Sequence, residues 1–178
     1  MTTWVSVRRP VPLARRKYDF VFIAFFLFNL LFITYFVDLE QVLIPDTSSF
    51  TYPIWPPKAA VQLFHWYGRT HDPLLLARPP FWRATIWLDV LLFGPYYIAA
   101  IYAFWKGKDW IRLPTIIYAT MLFTCVVIIL FEEKLGAHAA PSFAMAFGSN
   151  LAWLVIPVLL VIRMWPEHPF TAAHEYET

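Results

Sequence analysis

The polar chemistry available to this chain centres on three aspartates set among apolar residues. Asp89 lies inside the run Phe81–Phe104, about 12 Å from its start at the helical rise of roughly 1.5 Å per residue. A carboxylate inside a bilayer-length helix costs about +2.5 to +3.5 kcal/mol on insertion scales, so it turns toward the interior of a bundle and has a partner or a task. Asp38 closes the first apolar run, with Thr34 one turn earlier on the same face. Asp72 stands before Pro73 in the connection between the first two runs, where Asp-Pro also serves as a turn or helix-start signal. Asn150 lies in the last run with Trp153 near it on the same face. An Asn at that depth also bonds neighbouring helices, a contact averaging about 0.6 kcal/mol. Carboxylates in a low-dielectric cavity attract a cation strongly. Aromatic faces add about 0.5–2 kcal/mol each by cation–π attraction, and apolar walls accept a hydrophobic body. A lipophilic amine, or a sterol with one polar end, meets this description. In this reading Asp38 takes the ligand cation, while Asp72 remains neutral and hydrogen-bonds to it, as expected when like charges approach.

The remaining titratable residues offer less. Glu132 and Glu133 end the third apolar run and are expected to be solvated. His65, His71 and His138 fall in connections without metal-ligand spacing, so no metal is expected. No Gly-rich phosphate loop, nucleophile elbow or Cys–His pair is present, and no cofactor is implied. The single cysteine, Cys125, excludes an internal disulfide and reads as a packed thiol in an apolar run. A formal net charge of +2 gives no reason to expect a nucleic-acid partner.

These residues must be held by membrane-spanning elements. Hydrophobic residues make up 60% of the 178, with mean hydropathy +0.55, against roughly 45–50% apolar in soluble domains. Four runs reach the length of about 20 residues needed to cross the hydrocarbon core: Tyr18–Val37, Phe81–Phe104, Arg112–Phe131 and Met145–Met164. The first follows Arg8, Arg9, Arg15, Arg16 and Lys17, as a signal peptide's apolar region would. It continues through Tyr35, Phe36 and Val37 without a small-residue cleavage site, so it reads as a retained helix. The expected fold is an all-α membrane protein, a four-helix transmembrane bundle with a folded lumenal cap between helices 1 and 2. Its organisation is a basic cytoplasmic N-terminus (1–17), the transmembrane domain (18–164) and a polar cytoplasmic tail (165–178). The lysine and arginine bias places both termini and the tight turn Lys106–Ile111 on the cytoplasmic side. Asp38, Asp72, Glu132 and Glu133 then lie toward the opposite face. The connection Leu39–Pro80 is too long for a plain loop and too aromatic for disorder. Pro57 predicts a helix to about Tyr67, with Ala60, Val61, Phe64 and Tyr67 on one face. Pro95 frees the carbonyl of Leu91, and Pro157 that of Trp153, so each predicts a bend near Asp89 or Asn150.

Several stretches carry a family likeness. They are Thr34-Tyr-Phe-Val-Asp38-Leu39, Asp72-Pro-Leu-Leu, Pro79-Pro80-Phe-Trp82, Ala103-Phe-Trp-Lys-Gly-Lys-Asp-Trp110-Ile-Arg112-Leu-Pro114 and Ile116-Ile-Tyr118. Together they resemble the sigma-2 receptor branch of the EXPERA family, over roughly Tyr18 to Arg163. The resemblance implies residence in the endoplasmic reticulum membrane, a homodimer, and a capped pocket for a sterol or hydrophobic amine. It puts the pocket aspartates on Asp38 and Asp72 and a further acid on Asp89. Thr34, Tyr118, Asn150 and Trp153 complete the implied ligand-binding set. Phe93 replaces a polar family position. Asn150-Leu-Ala-Trp153-Leu-Val-Ile-Pro157 is similar to the final helix of the emopamil-binding sterol isomerases. An isomerase would use Asp38, Asp89, Asn150 and Trp153 to move a proton. Those enzymes have a His where this chain has Thr34, which ranks catalysis second to binding. A trafficking or quality-control partner of other membrane proteins is a third expectation, resting on a surface rather than a pocket.

Overall fold

Each apolar run becomes a helix long enough to cross a bilayer. In the computed structural model, which describes residues 4–177, these helices are Asp19–Leu43, Pro80–Lys106, Asp109–Leu135 and Phe143–Met164. The first two spans pack together, as do the last two. Lipid chains are as apolar as leucine, so such helices associate by close packing and interhelical hydrogen bonds. The packing here is largely aromatic. Phe26 is fully buried against Phe104, Tyr97 and Tyr118, with ring centroids 5.3, 6.2 and 6.2 Å away. The turn into the third span uses Gly107 at φ 65°, a left-handed C-cap that suits glycine.

Two spans are not uniformly α-helical. The first is π-helical over Asn29–Asp38, and the second over Asp89–Phe93. The amide of Gly94 accordingly donates to the carbonyl of Asp89, five residues back, and that of Leu39 to the carbonyl of Thr34. Pro95 falls in the first turn of the α-segment Gly94–Lys106, directly after the wide turns. The second span thus meets its proline with a change of helical pitch, where the sequence suggests only a bend. Pro157 lies within a segment that stays helical from Phe143 to Met164.

The connection between the first two spans folds over one end of the bundle. The first span runs past Val37 to Leu43, so Asp38 lies within it. The expected cap helix is Lys58–Thr70, burying Val61, Phe64, His65 and Gly68, with Ala60 and Tyr67 half-buried. A short helix, Pro73–Ala77, follows. The cap is fastened by a buried ionic cluster that the sequence did not reveal. Glu40, 1% exposed, receives His65 Nε2 at 2.9 Å on one oxygen and Arg78 Nη2 at 2.7 Å on the other. Arg78 also donates from Nε to the carbonyl of Leu75 at 3.0 Å and from Nη1 to that of Ile44.

The termini depart from the all-α expectation. Strand β1 (Trp4–Pro10) pairs antiparallel with β2 (Thr171–Glu177), Pro10 opposite Thr171 and Trp4 opposite Glu177. The tail is therefore part of a strand pair. The physical reason lies just inside it. Asp19 accepts from Arg16 and, at 2.8 Å, from Arg163 Nε. The two guanidiniums lie 4.8 and 4.9 Å from the centroid of the buried Phe170 ring. This clamp joins the first and fourth spans and holds both strand entries side by side. The second acid of the Glu132–Glu133 pair is also corrected. Glu132 pairs with His138 Nδ1 at 2.7 Å, whereas Glu133 is buried, because the helical phase turns only Glu133 into the bundle.

Truncating Arg78 to alanine leaves Glu40 buried without its strongest partner. Breaking a buried pair in this way costs about 3–5 kcal/mol. The R78A variant is expected to show a clear drop in thermal midpoint in detergent, and E40L/R78M to recover much of it.

Candidate ligand-binding site

Beneath the cap lies a cavity of about 510 Å³ whose wall includes Asp38, Asp72, Asp89, Asn150 and Trp153. Its size is that of a ligand pocket, about 300–1,000 Å³. The remaining wall is mainly apolar and aromatic, with Phe28, Phe32, Phe64, Trp66 and Phe93 prominent. Cys125 also reaches this wall, half-buried, where the sequence suggested only packing. Among the described residues no lysine, arginine or histidine lines it. The chamber is therefore greasy with carboxyl groups of one sign.

The acids are positioned by separate devices. Asp89 begins the π-turn of the second span and is 7% exposed. Thr34 Oγ1 donates to its Oδ2 at 2.5 Å, and Tyr97 OH to its Oδ1 at 3.1 Å. Tyr118 OH donates in turn to Tyr97 OH at 3.2 Å. Thr34 can approach because Gly94 faces it. A Cβ there would stand 3.1 Å from the Thr34 methyl. Asp38 ends the π-segment of the first span and is also 7% exposed. Gln41 Nε2 donates to Asp38 Oδ1 at 3.3 Å, and Trp82 Nε1 fixes Gln41 Oε1 at 2.6 Å.

Asp38 and Asp89 line the same cavity and lie within electrostatic reach of each other. Ionised carboxylates only accept hydrogen bonds, so neither can donate to the other unless one is protonated. Asp72 takes the helix-start role that its Asp-Pro step also allows, while its side chain lines the cavity. It caps the helix Pro73–Ala77, and its Oδ1 accepts from the amides of Leu74 at 3.1 Å and Leu75 at 3.4 Å. Burial pushes the Asp72 carboxyl above the usual carboxylate range, while these two amides pull it down.

Thr34 and Tyr118, both in the expected set, stand behind the wall and act through Asp89. Trp153 is held by its own hydrogen bond, Nε1 to Asn29 Oδ1 at 2.8 Å, and Asn29 is anchored to the carbonyl of Phe25 at 2.7 Å. Asn150 bonds the carbonyl of Ala146 in its own helix at 3.0 Å. Phe93 packs edge-on to Tyr118 at 5.0 Å. Sequence reasoning passed over Asn29, Gln41, Trp82 and Tyr97. The first two are amides in the same span as Asp38, and their depth was the available signal. Among the described residues no cluster has the three ligating groups a metal site needs.

Comparison with known proteins gives concordant likenesses. The family model EBP, described as EXPERA (expanded EBP superfamily), matches residues 59–164. The chain is 30% identical to the sigma intracellular receptor 2 of Xenopus tropicalis over 151 residues, 79% of this chain and 84% of that protein. It is 32% identical to the Homo sapiens sigma intracellular receptor 2 over 121 residues, 67% of this chain and 64% of that one. A probable 3-beta-hydroxysteroid-Delta(8),Delta(7)-isomerase of Oryza sativa subsp. japonica is 28% identical over 99 residues, 53% of this chain and 45% of that protein.

The environment of Asp72 has a consequence for stability. A carboxyl raised by folding contributes stability that is fully present below its unfolded value of about 4 and is lost as pH rises through the folded value. The thermal midpoint of D72N, in which Asn can still cap the helix, is expected to match the parent at low pH and exceed it at neutral pH. Paired melting curves across pH 3–8 check the sign.

Proposed function

The chain belongs to the EXPERA family, and from that premise we propose that it is an intramembrane receptor for sterols or lipophilic amines. One observation carries the reading: a single cavity brings together Asp38, Asp72 and Asp89 on otherwise apolar and aromatic walls, with no basic side chain lining it among the described residues. A cationic nitrogen or a sterol hydroxyl is the polar group such a wall accepts. In the proposed complex, Asp38 takes the ligand's polar end. Asp89, steadied by Thr34 and Tyr97, stands on the same cavity wall as Asp38. The rings of Phe28, Phe32 and Trp153 offer faces to the hydrophobic body. The tie from Trp153 to Asn29 fixes that indole before the ligand arrives, so less ordering entropy is lost on binding. The lysine and arginine bias turns the cap toward the lumen, and the endoplasmic reticulum membrane is the compartment this reading assigns, with two copies as the working unit.

Replacing Asp38 by asparagine removes the charge-assisted bond, worth about 1.5–3 kcal/mol. Affinity for a radiolabelled lipophilic amine is expected to fall at least roughly tenfold. Sterols extracted from the purified protein and identified by mass spectrometry are expected to decrease in D38N and D89N. Unchanged amine affinity in D38N would remove the ground for the assignment.

A second reading, sterol isomerisation, is favoured by the placement of Asp38 and Asp89 on the wall of one cavity. Such a pair offers one acid and one base at the cavity wall, as a double-bond shift by protonation and deprotonation requires. Thr34 stands where the isomerases have a histidine, so the binding reading ranks first. Purified protein incubated with a Δ8-sterol is expected to return it unchanged, and isomerised product above the blank would reverse the order.

A further inference from the structure

Glu133 Oε2 is the one buried side-chain oxygen among the described residues that has no hydrogen-bond partner. The residue is 2% exposed. An unpaired polar group at such depth is uncommon in a folded protein and calls for an explanation.

Its place suggests one. Leu122, Val126 and Ile129 of the third span line the cavity. Glu133 continues that stripe one turn closer to the cap, since residues three and four apart share a helical face. There it comes within electrostatic reach of Asp72, whose side chain forms part of the cavity wall. Both backbone donors to Asp72 use Oδ1, and its Oδ2 accepts no hydrogen bond among the described residues. The neighbouring cationic groups are directed elsewhere. Lys134 Nζ lies 5.1 Å from the Phe143 ring centroid, and His138 bonds Glu132. Arg78 and His65 are taken up by Glu40. Asp72 on the cavity wall and Glu133, one turn past the lining stripe, thus lie within electrostatic reach of each other at the cap end, with no cation bonded to either carboxyl among the described residues. A second pair, Asp38 and Asp89, stands further into the bundle.

We propose that Asp72 and Glu133 form a second cation station, and that the cavity takes a dibasic amphiphile. One protonated nitrogen sits at Asp38 and Asp89, and the other at Asp72 and Glu133. An apolar body between them lies along the aromatic wall. The proposal rests on the amine-receptor reading above and adds the number and placement of the ligand's charges. An organic ammonium suits the station better than a metal ion, because Ca²⁺ needs 6–8 oxygen ligands and two side chains in an apolar wall do not supply them.

The probes are a long-chain α,ω-diamine and the monoamine of equal chain length. Each is titrated against the full chain in nanodiscs by calorimetry near neutral pH. The parent protein is expected to bind the diamine about tenfold or more tightly than the monoamine, the margin of one added charge-assisted hydrogen bond. In Glu133→Gln that ratio is expected to fall to about one. Glu133→Met, of similar volume, should behave alike, and thermal unfolding of each variant confirms that it is folded. Asp38→Asn should weaken both probes. Equal affinity of the parent for the two probes, or an undiminished ratio in both Glu133 variants, overturns the second station alone. Failure of the parent to bind either amine overturns the receptor reading and this inference with it.

Discussion

An apolar bundle offers no water to an ionisable group, so each acid inside it must be satisfied by the protein or by what the protein binds. Asp89 shows what this constraint demands. Its two oxygens are held from two spans, by Thr34 of the first and Tyr97 of the second, and Tyr97 is backed by Tyr118 of the third. Three of the four spans are thereby joined through one carboxyl group. Loss of that group would remove an interhelical connection as well as a charge. The approach of the first two spans depends on it locally: Gly94 is open enough to admit the Thr34 methyl, and Thr34 reaches Asp89 only from there.

The π-helical segments serve the same constraint. Asp38 is the last residue of one and Asp89 the first of the other. A π-turn adds a residue without ending the helix, which rotates the following side chains relative to an α-helical course. In the second span it immediately precedes Pro95, which has no amide hydrogen to donate. The irregular backbone thus coincides with the level of the two acids, and lies where it borders a cavity, as membrane-depth irregularities must.

Much of this arrangement was legible in the sequence, because a charged residue in a bilayer-length apolar run stands out against its surroundings. Asp89 was visible on that ground, Asp38 as the acid that closes the first run and Asp72 from its Asp-Pro step and the family likeness, and all three line the cavity. Their pairings were not visible. Asp38 and Asp89 share one cavity wall, although some 50 residues separate them, while Asp72 spends one oxygen on the helix that Pro73 starts. Asn29 and Tyr97 escaped notice because an amide or phenol within an aromatic run has the same composition whether it packs or bonds. Glu40 and Arg78 carry no local signal in the sequence of the burial that joins them to His65. The terminal strands arise from the Asp19 clamp, a contact between the two ends of the chain that no local pattern records.

The cap ties these features to binding. Asp72 reaches the cavity only because the short helix it begins is held against the first span, and that hold is the Glu40 cluster. Glu40 lies two residues beyond Asp38 in the same span, so one turn of helix bears both a cavity-lining acid and the anchor of the roof. A buried ion pair contributes little net stability over apolar residues of similar volume, but it is strongly disfavoured when half-formed. The cluster therefore acts as a registration device: only one placement of the cap satisfies Glu40, Arg78 and His65 together. That placement sets Asp72 on the cavity wall and closes the chamber over Asp38 and Asp89, which makes the shape of the cavity a consequence of charges that do not line it.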